Sequence, residues 1–93
     1  MLNKVIDEVV FELFKAQKLH PDWPDDPLHA LAVLGEEFGE LTQAVLQVAY
    51  DKDKATPEDV KKEAIQTAAM AIRFLLSIDV YYYQKSDQHD QLA

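Results

Sequence analysis

Glu36-Glu37-Phe38-Gly39-Glu40 and Glu63-Ala64-Ile65-Gln66 carry polar side chains at the spacing of one helical turn. Residues three apart on a helix are neighbours on one face. At about 100° per residue, Glu37 falls in the middle of an apolar arc made by Ala30, Val33, Leu34, Leu41, Ala44 and Val48, with Glu40 at its edge. Glu36 points further out, towards His29, Gln43 and Gln47. Glu63 shares a face with Val60, Thr67, Met70 and Phe74; Gln66 is one turn on and Asp59 one turn back. Glu8, Glu12 and Glu58 fit an ordinary solvated face, but Glu37 and Glu63 fall where core is expected. Burying an unpaired carboxylate is costly, and cations are scarce: the helix of Glu37 has none, and that of Glu63 has Lys61, Lys62 and Arg73. Two chemistries answer the problem, a buried bridge to Arg73 or a hard divalent cation. The cation is the better solution. Magnesium, with manganese as the alternative, prefers such oxygen ligands and keeps waters for a substrate phosphate.

The elements that must position these residues are helices. Val5, Ile6, Val9, Val10 and Leu13 recur at helical spacing, which predicts a first helix over Leu2 to Leu19. His20-Pro21-Asp22-Trp23-Pro24-Asp25-Asp26-Pro27 breaks it, because proline forbids helix interior. Asp26 as N-cap and Pro27 in the first turn start a second helix that runs to about Tyr50. After the polar connector of residues 51–55, Thr56 and Asp59 form a shortened capping box. The third helix then extends to about Tyr82, and the tail from Gln84 is expected to fray.

The third helix reads as apolar nearly all round, with Ile65, Ala68, Ile72 and Leu76 roughly opposite Met70, Phe74 and Ile78. Such a helix is buried on every side, and two companions within one small chain cannot cover it. The expected architecture is therefore all-α: a single domain over 1–93, a bundle of about three main helices, completed by dimerisation. A homodimer or a dimer of dimers fits.

Composition narrows the partners. Of 93 residues, 48% are hydrophobic and the formal net charge is −8. That charge argues against a nucleic-acid backbone or an anionic membrane as the main partner, though a bound metal can invert the local field for a nucleotide. With no cysteine, disulfides, zinc–thiolate sites and thiol catalysis drop out. Polar residues interrupt the start, and no apolar run reaches the length of a membrane span. A cytoplasmic protein is the expectation.

Glu36-Glu37-Phe38-Gly39-Glu40, an E-E-x-x-E motif, followed across a helical hairpin by Glu63-Ala64-Ile65-Gln66, resembles the MazG-like all-α nucleoside triphosphate pyrophosphohydrolases, whose second motif is E-x-x-D. The resemblance spans about Phe11 to Ile78. The segment Gln17…His20-Pro21-Asp22-Trp23 looks like the substrate-side segment of small phage- and cassette-type members. The resemblance implies magnesium-dependent cleavage of nucleoside triphosphates to a monophosphate and pyrophosphate, a nucleotide house-cleaning reaction. It implies Glu37, Glu40 and Glu63 as metal ligands, and Glu36 as a supporting group or the base for the attacking water. The family's final Asp is Gln66 here. An amide oxygen can ligate magnesium but brings no charge, and Asp59 on the same side is a candidate to compensate.

Lesser signals carry paired readings. Lys62 and Arg73 flank the metal face and can either grip phosphate oxygens or serve as surface cations. Trp23 can stack on a base or staple its loop to the core. Gln17 and His20 can hydrogen-bond a base edge, although a lone His is more often structural. Tyr81-Tyr82-Tyr83 reads as packing rather than substrate contact. Two rivals stay open: a non-catalytic helical oligomer, favoured by Gln66, and a relative acting on another pyrophosphate substrate such as phosphoribosyl-ATP.

Overall fold

Three helices account for the secondary structure of the computed structural model, which describes residues 1–83: α1 (Leu2–Leu19), α2 (Pro27–Tyr50) and α3 (Pro57–Leu76). Among the described residues there is no strand. The fold is the expected all-α one. The expected fraying from Gln84 concerns residues outside those described.

The helix starts follow local chemistry. Asp26 accepts a 3.0 Å hydrogen bond from the Leu28 N–H, and Pro27 occupies the first turn, where its missing donor has no consequence. Thr56 and Asp59 form a reciprocal capping box. The Thr56 N–H donates to Asp59 Oδ2 at 2.8 Å, and the Asp59 N–H donates to Thr56 Oγ1 at 3.3 Å.

The third helix is shorter than its apolar pattern predicts. It ends at Leu76, with Ser77 as C-cap. Ile78 N–H then donates to the Leu75 carbonyl and Val80 N–H to the Ser77 carbonyl, turning the chain back. The competing interaction is tertiary. Tyr81 is buried against Phe74, ring centroids 4.9 Å apart, and its hydroxyl donates to the Phe74 carbonyl at 3.0 Å. Tyr82 N–H reaches back to the Asp25 carbonyl. Continuing the helix would forfeit these partners.

α3 is the middle helix; it packs on both α1 and α2, whose backbones do not approach each other closely. Val9 and Leu13 of α1 meet Ala69, which is 0% exposed, with Ile65, Ala68, Met70 and Ile72 around them. The small Ala68 and Ala69 let the neighbouring helices approach closely. The two companions bury Ala69 and Arg73 and half-cover the middle of α3, but leave Leu75 and Leu76 at its end exposed. Further exposed apolar side chains lie on the companions: Phe11 and Phe14 on α1, and Leu28, Leu31, Phe38, Val45 and Leu46 on α2. Among the described residues no large side chain is fully buried. The radius of gyration is 16.6 Å, against about 12 Å for a compact chain of this length. Among the described residues no helix is long and apolar enough to cross a membrane.

Candidate metal centre and adjoining cleft

α2 and α3 bring Glu37, Glu40 and Glu63 together. Each offers a carboxylate oxygen, and these oxygens all lie within 4.8 Å of one another. Glu37 and Glu63 are half-buried; Glu40 is exposed. Thr67 joins the two helices at this level. Its hydroxyl lies 3.1 Å from the Glu37 carbonyl and 2.8 Å from the Glu63 carbonyl, in reach to donate to either.

The cluster lacks internal compensation. Glu37 Oε2 and Glu63 Oε2 are buried and have no hydrogen-bond partner. Burial holds the Glu37 carboxyl above its ordinary value, and repulsion from Glu40 and Glu63 adds to this. Burial also raises Glu63, assisted by Glu40 and opposed by the nearby Lys62 charge. Hydrogen bonding with Glu40 adds to both shifts, because the protonated Glu37 or Glu63 carboxyl is the donor and the Glu40 carboxylate the acceptor. The expected alternative, a bridge to Arg73, is not formed: among the described residues the ion pairs are Lys54–Asp51 and Lys61–Glu8.

The donor set fits a hard divalent cation. Magnesium bonds of about 2.1 Å place adjacent ligand oxygens about 3 Å apart and opposite ones about 4.2 Å apart. Small side-chain rotations bring three oxygens already within 4.8 Å into that range. The two orphaned oxygens are the lone pairs such an ion would satisfy.

The remaining residues singled out by sequence divide into groups. Gln66 and Glu37 line one cleft of about 600 Å³, together with His20, Trp23 and Arg73. Gln17 borders a smaller adjoining recess shared with Trp23 and Arg73. Lys62 lies elsewhere, in a shallow depression between α1 and α3, so it does not share the cleft with Arg73. Glu36 is exposed beside the cluster. Asp59 is outside the three-carboxylate group. Its Oδ2 serves the helix cap, taking the Thr56 N–H and lying 3.1 Å from Thr56 Oγ1, which leaves it poorly placed to compensate for Gln66.

Trp23 is held as a wall of the cleft. Its Nε1–H donates to the Tyr81 hydroxyl at 2.8 Å, and the Arg73 guanidinium lies 4.9 Å from its ring centroid. The stapling role is thus present in the fold. Arg73 also donates through Nη2 to the His20 carbonyl at 2.8 Å. Sequence reasoning missed Lys15, His29 and the half-buried Glu12 as cleft residues. Their part depends on how α1 and α2 flank α3, which no local pattern reveals. Thr67 was legible as a face neighbour of Glu63 but not as a strut.

No protein-family model matches the chain, and neither a curated protein nor a solved structure matches it.

Proposed function

We propose that the protein is a magnesium-dependent nucleoside triphosphate pyrophosphohydrolase. The observation that carries this reading is the pair of buried, unpartnered oxygens, Glu37 Oε2 and Glu63 Oε2, in a three-carboxylate cluster. The cluster opens through Glu37 onto a cleft of about 600 Å³, a volume suited to a nucleotide-sized ligand. The E-E-x-x-E resemblance supplies the reaction class.

In this reading Glu37, Glu40 and Glu63 hold the metal, with Gln66 as a neutral oxygen donor. When bound, magnesium supplies positive charge against the triphosphate and acidifies a water. Glu36, exposed beside the ligands, accepts the proton as the water oxygen bonds to phosphorus and the α–β anhydride bond breaks, releasing monophosphate and pyrophosphate. Manganese would substitute. Trp23, His20 and Gln17 border the space for the nucleoside. A second copy would cover the exposed apolar side chains of α1 and α2, as a homodimer or dimer of dimers, and the enzyme would work in the cytoplasm on the nucleotide pool.

Gln66 favours one second reading, a helical oligomer that binds metal or nucleotide without turnover. Phosphorus NMR of a nucleoside triphosphate incubated with protein and magnesium separates the two. Monophosphate and pyrophosphate resonances support the hydrolase. Diphosphate and orthophosphate would contradict the bond assignment, and an unchanged spectrum would favour the binding module.

A further inference from the structure

Arg73 is the chain's one arginine, and it is buried to 6% exposure. Burial alone pulls its guanidinium below the ordinary value. A buried cation normally has a carboxylate partner, and this chain has 17 acidic residues against 9 basic ones. Yet Arg73 is in neither of the ion pairs found among the described residues. Its contacts are the His20 carbonyl and the Trp23 ring. Trp23 is fixed in turn by Tyr81, whose hydroxyl is anchored on the Phe74 carbonyl. The guanidinium is therefore held from both ends of the chain.

One of its donors goes to His20. A guanidinium carries several more, and none of its nitrogens is among the buried atoms left without a partner. Nε and Nη1 therefore keep some access to solvent, and Arg73 lines both the cleft beside Glu37 and the adjoining recess. Lys15, exposed on α1 and outside the ion pairs, lines the cleft beside Glu37 too. Tethering a loop would need only one donor and an apolar face, which a neutral side chain supplies without desolvating a charge. A rigid planar cation with spare donors suits a phosphate oxyanion, which it can take through paired hydrogen bonds.

We infer that Arg73, assisted by Lys15, forms a phosphoryl-oxyanion subsite in the cleft, separate from the carboxylate cluster and able to bind without metal. Its assignment to the phosphate chain of a nucleotide rests on the function proposed above; its binding of an oxyanion does not.

The single arginine makes the test direct, because one Nε–Hε side-chain resonance reports it. Inorganic pyrophosphate is titrated into the full chain in EDTA, for the wild type and for Glu37→Gln. The arginine resonance is expected to shift saturably in both. Lys15→Gln, on an exposed site that cannot unfold the bundle, should weaken binding by about threefold. Arg73→Gln, checked for helicity, should weaken it by about tenfold or more, with Arg73→Lys intermediate. An unmoved arginine resonance, or wild-type affinity in folded Arg73→Gln, overturns the subsite. Pyrophosphate binding at Arg73 without nucleotide turnover would leave the subsite standing and remove the hydrolase. Turnover with an unmoved resonance would do the reverse.

Discussion

The Thr67 hydroxyl lies 3.1 Å from the main-chain carbonyl of Glu37, across the α2–α3 contact and within a turn of Glu63 on its own helix. That strut fixes how far apart the two half-buried carboxylates stand. Thr67→Val keeps the shape and removes the donor. It should cost about 1 kcal/mol of stability in urea unfolding and weaken magnesium binding by calorimetry several-fold. Unchanged affinity would mean that the carboxylates are positioned by packing alone.

Glu37→Gln and Glu63→Gln each remove a charge from a cluster with no internal cation. In metal-free protein at neutral pH, each should raise the unfolding free energy from urea titration by about 0.5 kcal/mol for partly solvated groups. Each should also abolish stabilisation by added magnesium. A variant that is still stabilised by magnesium as the wild type is would place the ion elsewhere.

The raised carboxyls give pH dependence a definite sign. A carboxyl whose folded pKa exceeds its unfolded one holds its proton more tightly in the folded state. Its contribution is complete below the ordinary value of 4.5 and is lost as pH rises through the raised folded value. Metal-free protein should therefore lose stability from this source as pH rises above the ordinary carboxyl range, and Glu37→Gln should flatten the slope. Magnesium should oppose the loss, because it binds the ionised form. Equal slopes for wild type and variant would remove Glu37 from this account.

Tyr81→Phe tests the closure that holds Trp23. The change orphans the Trp23 Nε1–H and takes the side-chain donor away from the Phe74 carbonyl. Destabilisation of about 1–2 kcal/mol is expected, with altered tryptophan fluorescence because Trp23 is the only tryptophan. An unaltered emission spectrum would mean that the ring is held without Tyr81.

Phe38, 61% exposed on the outer face of α2, probes the assembly. If a second copy covers that face, Phe38→Asp should shift the mass by light scattering towards the monomer and lower the melting temperature. A wild type that is already monomeric, with a melting temperature independent of concentration, would contradict assembly.

Some of this was legible in the sequence because its causes are local. Asp26-Pro27 and Thr56-Pro57-Glu58-Asp59 announce helix starts through bonds closed within a few residues. Glu37 and Glu63 stand out because helical angle alone places them on an apolar arc. What escaped depends on contacts between distant segments. The end of α3 at Leu76 follows from Tyr81 folding onto Phe74 and Trp23. The Arg73 environment depends on a carbonyl 53 residues away. The place of the surplus apolar surface depends on α1 and α2 flanking α3 rather than packing on each other.

The central claim is tested most directly by pyrophosphate release from a panel of ribo- and deoxyribonucleoside triphosphates, with and without magnesium, for wild type and Glu63→Gln. The account predicts release that requires magnesium and is lost in the variant. No release from any substrate by folded, magnesium-bound wild type, or equal release by Glu63→Gln, would contradict it.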